Sequence, residues 1–350
     1  MAKHNGRGGE RPDGGTRRPK GQPADATRLP KPRKDRGAAT SGSSIAETKP
    51  QPTETLPEQL ARLVTSIETA DAAIAEDKLR IAGLTVASSL RKPRGKKRRP
   101  SLKLPGVKNP KLDFDALDAL KAKLEQAVET GVPPRSLGSS MAMREIRLGL
   151  FSAMLTAFAH YADEELATFT AINSRWRLSA VDLDALDANT IHNRFRADLD
   201  RTGVLKVDGP LVAFLHGEFE ASSGTFQLHF HGIATVEKTK ALKSGLKSIP
   251  GYRVTVTGSA GVQAKSICDR VRQLTYSLKG YWPEKTIRIG TNGPRRDRRH
   301  RRIPEPFHSH HLLWLDRQRL NDMMLVNGCW SRRKGGSAAM REFCLFVERS

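Results

Sequence analysis

Two β-like runs joined by a short turn constrain this chain more than any other feature. PLVAFLHGEFE (210–220) and FQLHFHGIATV (226–236) flank ASSGT. Period-two alternation puts successive side chains on opposite faces of a strand, and a short glycine-containing turn makes the two strands antiparallel neighbours. A hairpin alone is marginal in water and needs further strands or a helix to cover it. The flanks supply them. LATFTAIN (166–173) is a β-like run, and DALDANTIHNRFRADLDRTG (184–203) is a helix ended by Gly203. EKTKALKSGLKSI (237–249) is helical, YRVTVTG (252–258) reads as a strand, and VQAKSICDRVRQLTYSLKGYW (262–282) as a helix stopped by Pro283. The order β-α-β-β-α-β-α predicts an α+β domain over 165–283, a mostly antiparallel sheet with flanking helices.

The remaining chain divides by composition. Residues 1–55 are rich in Gly, Pro, Arg, Lys, Ser and Thr and read as a disordered basic tail. Residues 56–164 form a helical region interrupted by a basic linker at about 84–111. One helix is predicted over 57–82, where Leu60, Ile67, Ile74 and Ile81 recur every seven residues and Asp77 breaks any coiled-coil seam. Two more are predicted at 112–131 and 141–165. Residues 284–350 are a basic extension with one predicted helix at 310–326. No run of 18 apolar residues occurs, which argues against membrane insertion. Three widely spaced cysteines give no disulfide framework and no CxxC pair, as suits a reducing cytoplasm.

Charge speaks to partners. Lys and Arg total 60 against 37 Asp and Glu, a formal +23, so polyanions will bind in a salt-dependent way. Two runs concentrate the charge. The linker carries Lys96, Lys97, Arg98 and Arg99; PRRDRRHRR carries Arg295, Arg296, Arg298, Arg299, Arg301 and Arg302. Both are candidate phosphate contacts.

His229 and His231 lie two apart on a predicted strand, so their imidazoles share a face about 6.5–7 Å apart along the chain while Phe230 points to the core. The preceding strand offers His216, Glu218 and Glu220 on one face as a third donor, with Glu220 preferred over Glu218 for its nearness to the turn. Two His and a carboxylate suit Mn²⁺ or Mg²⁺. Downstream, Tyr276 and Lys279 are i and i+3 on a predicted helix, a nucleophile with a cation beside it. His308, His310, His311 and Cys329 make a poor zinc set without paired cysteines.

These motifs, LATFTAIN, then LHFHGIATV, then VRQLTYSLKGYW, resemble in content and order those of the HUH endonucleases, specifically the rolling-circle replication initiators of plasmids and small single-stranded DNA replicons. The resemblance covers about 165–283. It implies that His229 and His231 bind a divalent metal with an acid from the preceding strand, that Tyr276 is the single nucleophile, that Lys279 assists it, and that Tyr281 packs or stacks on DNA. It further implies nicking of single-stranded DNA at a replication origin through a phosphotyrosine, host helicase and polymerase as partners, and a bacterial cytoplasmic location; a dimer is left open. The first motif departs from the family's usual wording, and no GxxxxGK[ST] loop is present. An HUH-type transposase and a non-catalytic basic DNA- or RNA-binding protein are the alternatives. The non-catalytic reading expects His229→Ala and His231→Ala to leave every activity intact.

Overall fold

The computed structural model describes residues 54–91, 104, 106–291, 293–297, 299–329, 342, 343 and 345. Residues 1–53 of the basic tail and the linker residues Lys96, Lys97, Arg98 and Arg99 lie outside them, as does Arg298. Helices α1 (Leu56–Ser66), α2 (Ala70–Ser88), α3 (Phe114–Thr130) and α4 (Ser140–Ala157) come first. The single helix expected over 57–82 is two helices. Ile67 leaves α1 in an extended conformation, and the Thr69 hydroxyl caps α2 by accepting from the Ala72 amide at 3.2 Å.

Asp77, the residue at odds with a coiled coil, is wholly buried for a specific reason. Its carboxylate accepts from Ser139 Oγ at 2.7 Å and from the Ser140 and Met141 amides at 2.6 and 3.1 Å, holding the first turn of α4 where the helix dipole favours an anion. Leu63 and Ile67 join the same apolar core as Leu150, Phe214 and Phe230, so the N-terminal helices share their interior with the sheet.

The sheet is built from β1 (Leu166–Ser179), β2 (Leu211–Glu220), β3 (Thr225–Thr235) and β4 (Val262–Ser266), with α5 (Ala180–Asp184) and α6 (Ala188–Arg201) between β1 and β2 and α7 (Val236–Ser248) between β3 and β4. Their spatial order is β4-β1-β3-β2, antiparallel throughout, which is the split βαβ arrangement of a βαββαβ chain. The α+β expectation holds. Gly203, at φ +77°, follows α6 in a conformation that side chains disfavour, as its position after the helical pattern suggests. One face of the sheet carries Phe230, stacked on Phe195 of α6 at 4.2 Å and edge-on to Trp176 at 5.7 Å. On the other, Phe214 packs against Phe151 of α4.

Two segments differ from expectation. YRVTVTG is not a ladder strand: Tyr252 is buried with its hydroxyl donating to Asp198 at 3.0 Å, and Val254 makes only an isolated bridge to Ala260. The edge strand is VQAKS, whose exposed Gln263 and Lys265 suit an edge. The following helix α8 (Arg270–Ser277) is therefore short, starting after Asp269, whose side chain accepts from the Arg272 amide.

Beyond α8 come β5 (Pro283–Glu284), the β6 (Ile287–Gly290)–β7 (Gly293–Arg296) ribbon and β8 (Arg301–Arg302). The helix expected at 310–326 is α9 (Phe307–Asp316), α10 (Leu320–Met323) and strand β9 (Met324–Asn327), which pairs with the first half of β2. Strand β5 pairs with its far end at Phe219.

Candidate active site

The hairpin register decides the site. Glu220 faces Thr225 across the turn, Glu218 faces Gln227, and His216 faces His229. His216, His229 and His231 thus meet on the sheet face opposite Phe230, with one ligand nitrogen from each lying within 4.8 Å of the others. Among the described residues this is the group of His, Cys, Asp or Glu side chains close enough to hold a metal ion. The third member is a histidine and not the acid expected. Glu220 accepts from Ser222 Oγ at 2.7 Å and so is tied to the turn. Glu218 borders the same cleft as His229 and His231 without joining the close cluster. His308, His310 and His311 are buried on α9 and form no such group with Cys329.

Hydrogen bonds orient the rings. His229 Nδ1 lies 3.2 Å from the Gln227 carbonyl, which can only accept, so the proton sits on Nδ1 and Nε2 is bare. His231 Nδ1 lies 2.9 Å from the Thr170 hydroxyl on β1, and its Nε2 is 3.1 Å from His229 Nε2. A hydroxyl both donates and accepts. In one tautomer His231 therefore donates Nε2–H to His229; in the other both Nε2 lone pairs aim at one point between them. Neither ring nitrogen of His216 has a hydrogen-bond partner, although the Tyr281 backbone passes nearby. A buried imidazole left unpartnered beside two others is costly unless a cation takes its lone pair.

Burial pushes all three imidazoles down, His229 to about 4; for His216 and His231 the neighbouring rings and the Lys279 ammonium add to it. Neutral rings are what a metal needs. The donor set fits a divalent ion.

Trp282 sits behind His216, ring centroids 6.0 Å apart, and stacks on His311 at 4.4 Å. A Cβ on Gly217 would fall 2.4 Å from the Trp282 ring, so glycine is required there for the indole to approach.

Tyr276 reaches the cluster from α8. Its ring centroid is 5.6 Å from that of His231, and the side chain is 53% exposed. Lys279 lies beyond the end of the helix, contrary to the helical i,i+3 expectation, yet the turn returns its Nζ to 3.8 Å from the Tyr276 ring centroid. Desolvation lowers the Lys279 ammonium to about 8. A cleft of about 560 Å³ spans this face, with Thr168, Thr170, Lys265, Arg272 and Tyr276 on its walls.

The C-terminal basic run is partly engaged within the protein. Arg301 lies 3.7 Å from Asp297, Arg302 pairs with Glu76 of α2, and Arg295 is on the β7 strand with Arg296 beside it in the chain. The Arg299 amide donates to Asp297. Arg295, Arg299, Arg301 and Arg302 do not line the histidine cleft.

Comparison with protein-family models, with curated proteins and with solved structures finds no match. Among the described residues no helix is long and apolar enough to cross a membrane.

His216 is among the three third-donor candidates of the sequence, and the register selects it over Glu218 and Glu220. Thr170 and Arg272 carry no local signal in the sequence. Thr170 positions His231 and touches no metal. Thr170→Val is expected to weaken Mn²⁺ binding by roughly 10- to 100-fold, the usual cost of removing a partner that orients a ligand. Isothermal titration with the variant checks it; unchanged affinity would remove Thr170 from the site.

Proposed function

We propose that this protein is a metal-dependent nickase and strand transferase of single-stranded DNA, with Tyr276 as nucleophile. The observation carrying the reading is the half-exposed Tyr276 phenol standing beside His231 at the mouth of a three-histidine cluster. The ordered motifs and the split βαβ sheet support the resemblance to HUH replication initiators, and the +23 charge supports a polyanionic substrate. A replication origin as the target, and host helicase and polymerase as partners, follow from that resemblance alone.

His216, His229 and His231 would hold the ion. Three imidazole nitrogens favour Mn²⁺ over the harder Mg²⁺. A bound divalent ion would polarise the scissile phosphate and offset its charge. Tyr276 supplies the attacking oxygen. The phenol oxygen bonds to phosphorus as the P–O3′ bond breaks; the phenol's proton is given up and the leaving oxygen takes one, leaving a 5′-phosphotyrosine and a free 3′-hydroxyl. The Lys279 ammonium over the ring favours the phenolate during attack. Arg272 and Lys265 line the cleft where backbone phosphates would run.

Incubation with single-stranded DNA and Mn²⁺ is expected to yield a covalent adduct on a denaturing gel. Tyr276→Phe should abolish it; an adduct of the same yield in that variant would show another nucleophile. The pH profile tests Lys279. With its ammonium lowered to about 8, the charge is present below that pH and lost above it, so adduct formation should decline as pH rises through about 8. Lys279→Arg, charged throughout, is expected to move that limb upward. The same limb in both proteins would show that Lys279 does not set it.

A further inference from the structure

Tyr276 and Arg272 border a second cleft, of about 490 Å³, distinct from the one holding the histidines. The phenol therefore stands on a ridge between two cavities. The far wall of the second cleft comes from the N-terminal helices: Ala72, Glu76 and Arg80 of α2, and Arg147 of α4. Lys279, Gly280 and Tyr281 close it on the near side.

The wall is fastened to the tyrosine's own segment. Arg80, 1% exposed, donates to the Gly138 and Gly280 carbonyls at 2.8 Å each, and Arg62 donates to Asp269, the residue capping α8, at 2.7 Å. The N-terminal helices are thus not an appendage but one half of a built groove beside Tyr276.

Its charge is unbalanced. The two acids in the wall are already engaged: Glu68 with Arg147 at 2.8 Å, and Glu76 with Arg80 at 3.3 Å and with Arg302. Lys279 and Arg272 also line the groove. Arg147 is nine-tenths buried, and its Nε makes no hydrogen bond. At the rim, Tyr281 leaves 45% of its surface exposed. Cations to hold phosphate and an exposed ring to stack a base are the two elements of single-strand recognition. An uncharged ligand would leave the cations without purpose, and a free phosphate would not use the ring.

We propose that this second cleft binds the single DNA strand on the far side of the phosphate presented to Tyr276, with phosphate against Arg272 and Lys279 and a base on Tyr281. Which phosphate is cut rests on the nickase reading; the binding does not. A strand lying across the ridge has its two flanks in two different clefts, and the histidine cleft accommodates only one. The N-terminal helices hold the other.

Fluorescence anisotropy of labelled (dT)12 with the full chain, in EDTA, separates the two claims. Tyr281→Ala should weaken binding at least about 5-fold, as loss of one base–aromatic stack does. Tyr281→Phe should retain it. Ala72→Trp, which fills the groove from α2 at a residue that does not line the histidine cleft, should weaken it comparably, with far-ultraviolet circular dichroism and thermal midpoint confirming the fold. Wild-type affinity in both Tyr281→Ala and Ala72→Trp would overturn the proposal. If the wild type makes no adduct with Mn²⁺ while both variants bind weakly, the nickase reading fails and the cleft stands; full adduct with unaltered binding in both variants has the reverse meaning.

Discussion

Replacing His216 with glutamine is expected to weaken divalent-metal binding by more than about 100-fold, while Glu220→Ala leaves it unchanged. The first figure exceeds the roughly 10- to 100-fold cost of losing a residue that only orients a ligand, because a donor itself is removed. Glutamine nearly preserves volume in a position 1% exposed, so a cavity is not the cause of any loss. The second follows from register: Glu220 lies four residues along β2 from His216, and its carboxylate is bound to Ser222. Isothermal titration with Mn²⁺ measures both. Equal losses in the two variants, or a loss only in Glu220→Ala, would restore the acid as third ligand. Metal should also raise the thermal midpoint of the wild type, since a ligand that binds only the folded state stabilises it.

Acid is expected to unfold the metal-free protein between pH 6.5 and 4. Buried histidines are the reason. His229 and His310 are each lowered from 6.5 to about 4, and His216, His231, His308 and His311 are lowered too, with burial the largest cause in every case. His308 keeps some of its charge preference through Glu305, 3.3 Å away. Each folded-state value lies below the unfolded one, so the unfolded chain takes up protons first as pH falls. Stability is therefore complete above about 6.5 and drains away toward the folded-state values. For a shift from 6.5 to about 4 the loss is about 3 kcal/mol per group. Two such groups already approach the roughly 5–15 kcal/mol that holds a typical domain together. Urea midpoints measured from pH 7.5 to 4 in EDTA should fall steeply below 6.5, and Mn²⁺ should delay the fall by competing with protons for the three clustered rings. A flat profile to pH 4 would show that these side chains are far more solvated than their positions imply.

Much of this was readable in the chain before any coordinates. The alternation of 215–220 and 226–231 on either side of the turn points to the hairpin, and Phe230 between two histidines assigns one face to the core and one to chemistry. The partner of that pair was within reach as well. A turn that pairs Glu220 with Thr225 necessarily pairs His216 with His229, because each step away from the turn advances both strands by one residue. Preferring Glu220 mistook nearness to the turn for nearness to the histidines.

Other features had no local signature. Residues 252–258 have strong β-propensity, yet Tyr252 is claimed by Asp198 and the core, and the weaker former VQAKS takes the edge of β1. Leu60, Ile67, Ile74 and Ile81 keep their spacing across a break that only the capping Thr69 betrays. The buried Arg80, reaching from α2 to Gly280, joins residues 200 apart in sequence, and no periodicity encodes such a contact.

Diffraction at the manganese edge from crystals grown with MnCl₂ addresses the metal centre most directly. A single anomalous peak is expected on the sheet face opposite Phe230, at coordination distance from one nitrogen each of His216, His229 and His231, with the Tyr276 hydroxyl turned toward it. A peak elsewhere with none at these rings, or a hydroxyl that stays directed away from the ion, would contradict the assignment.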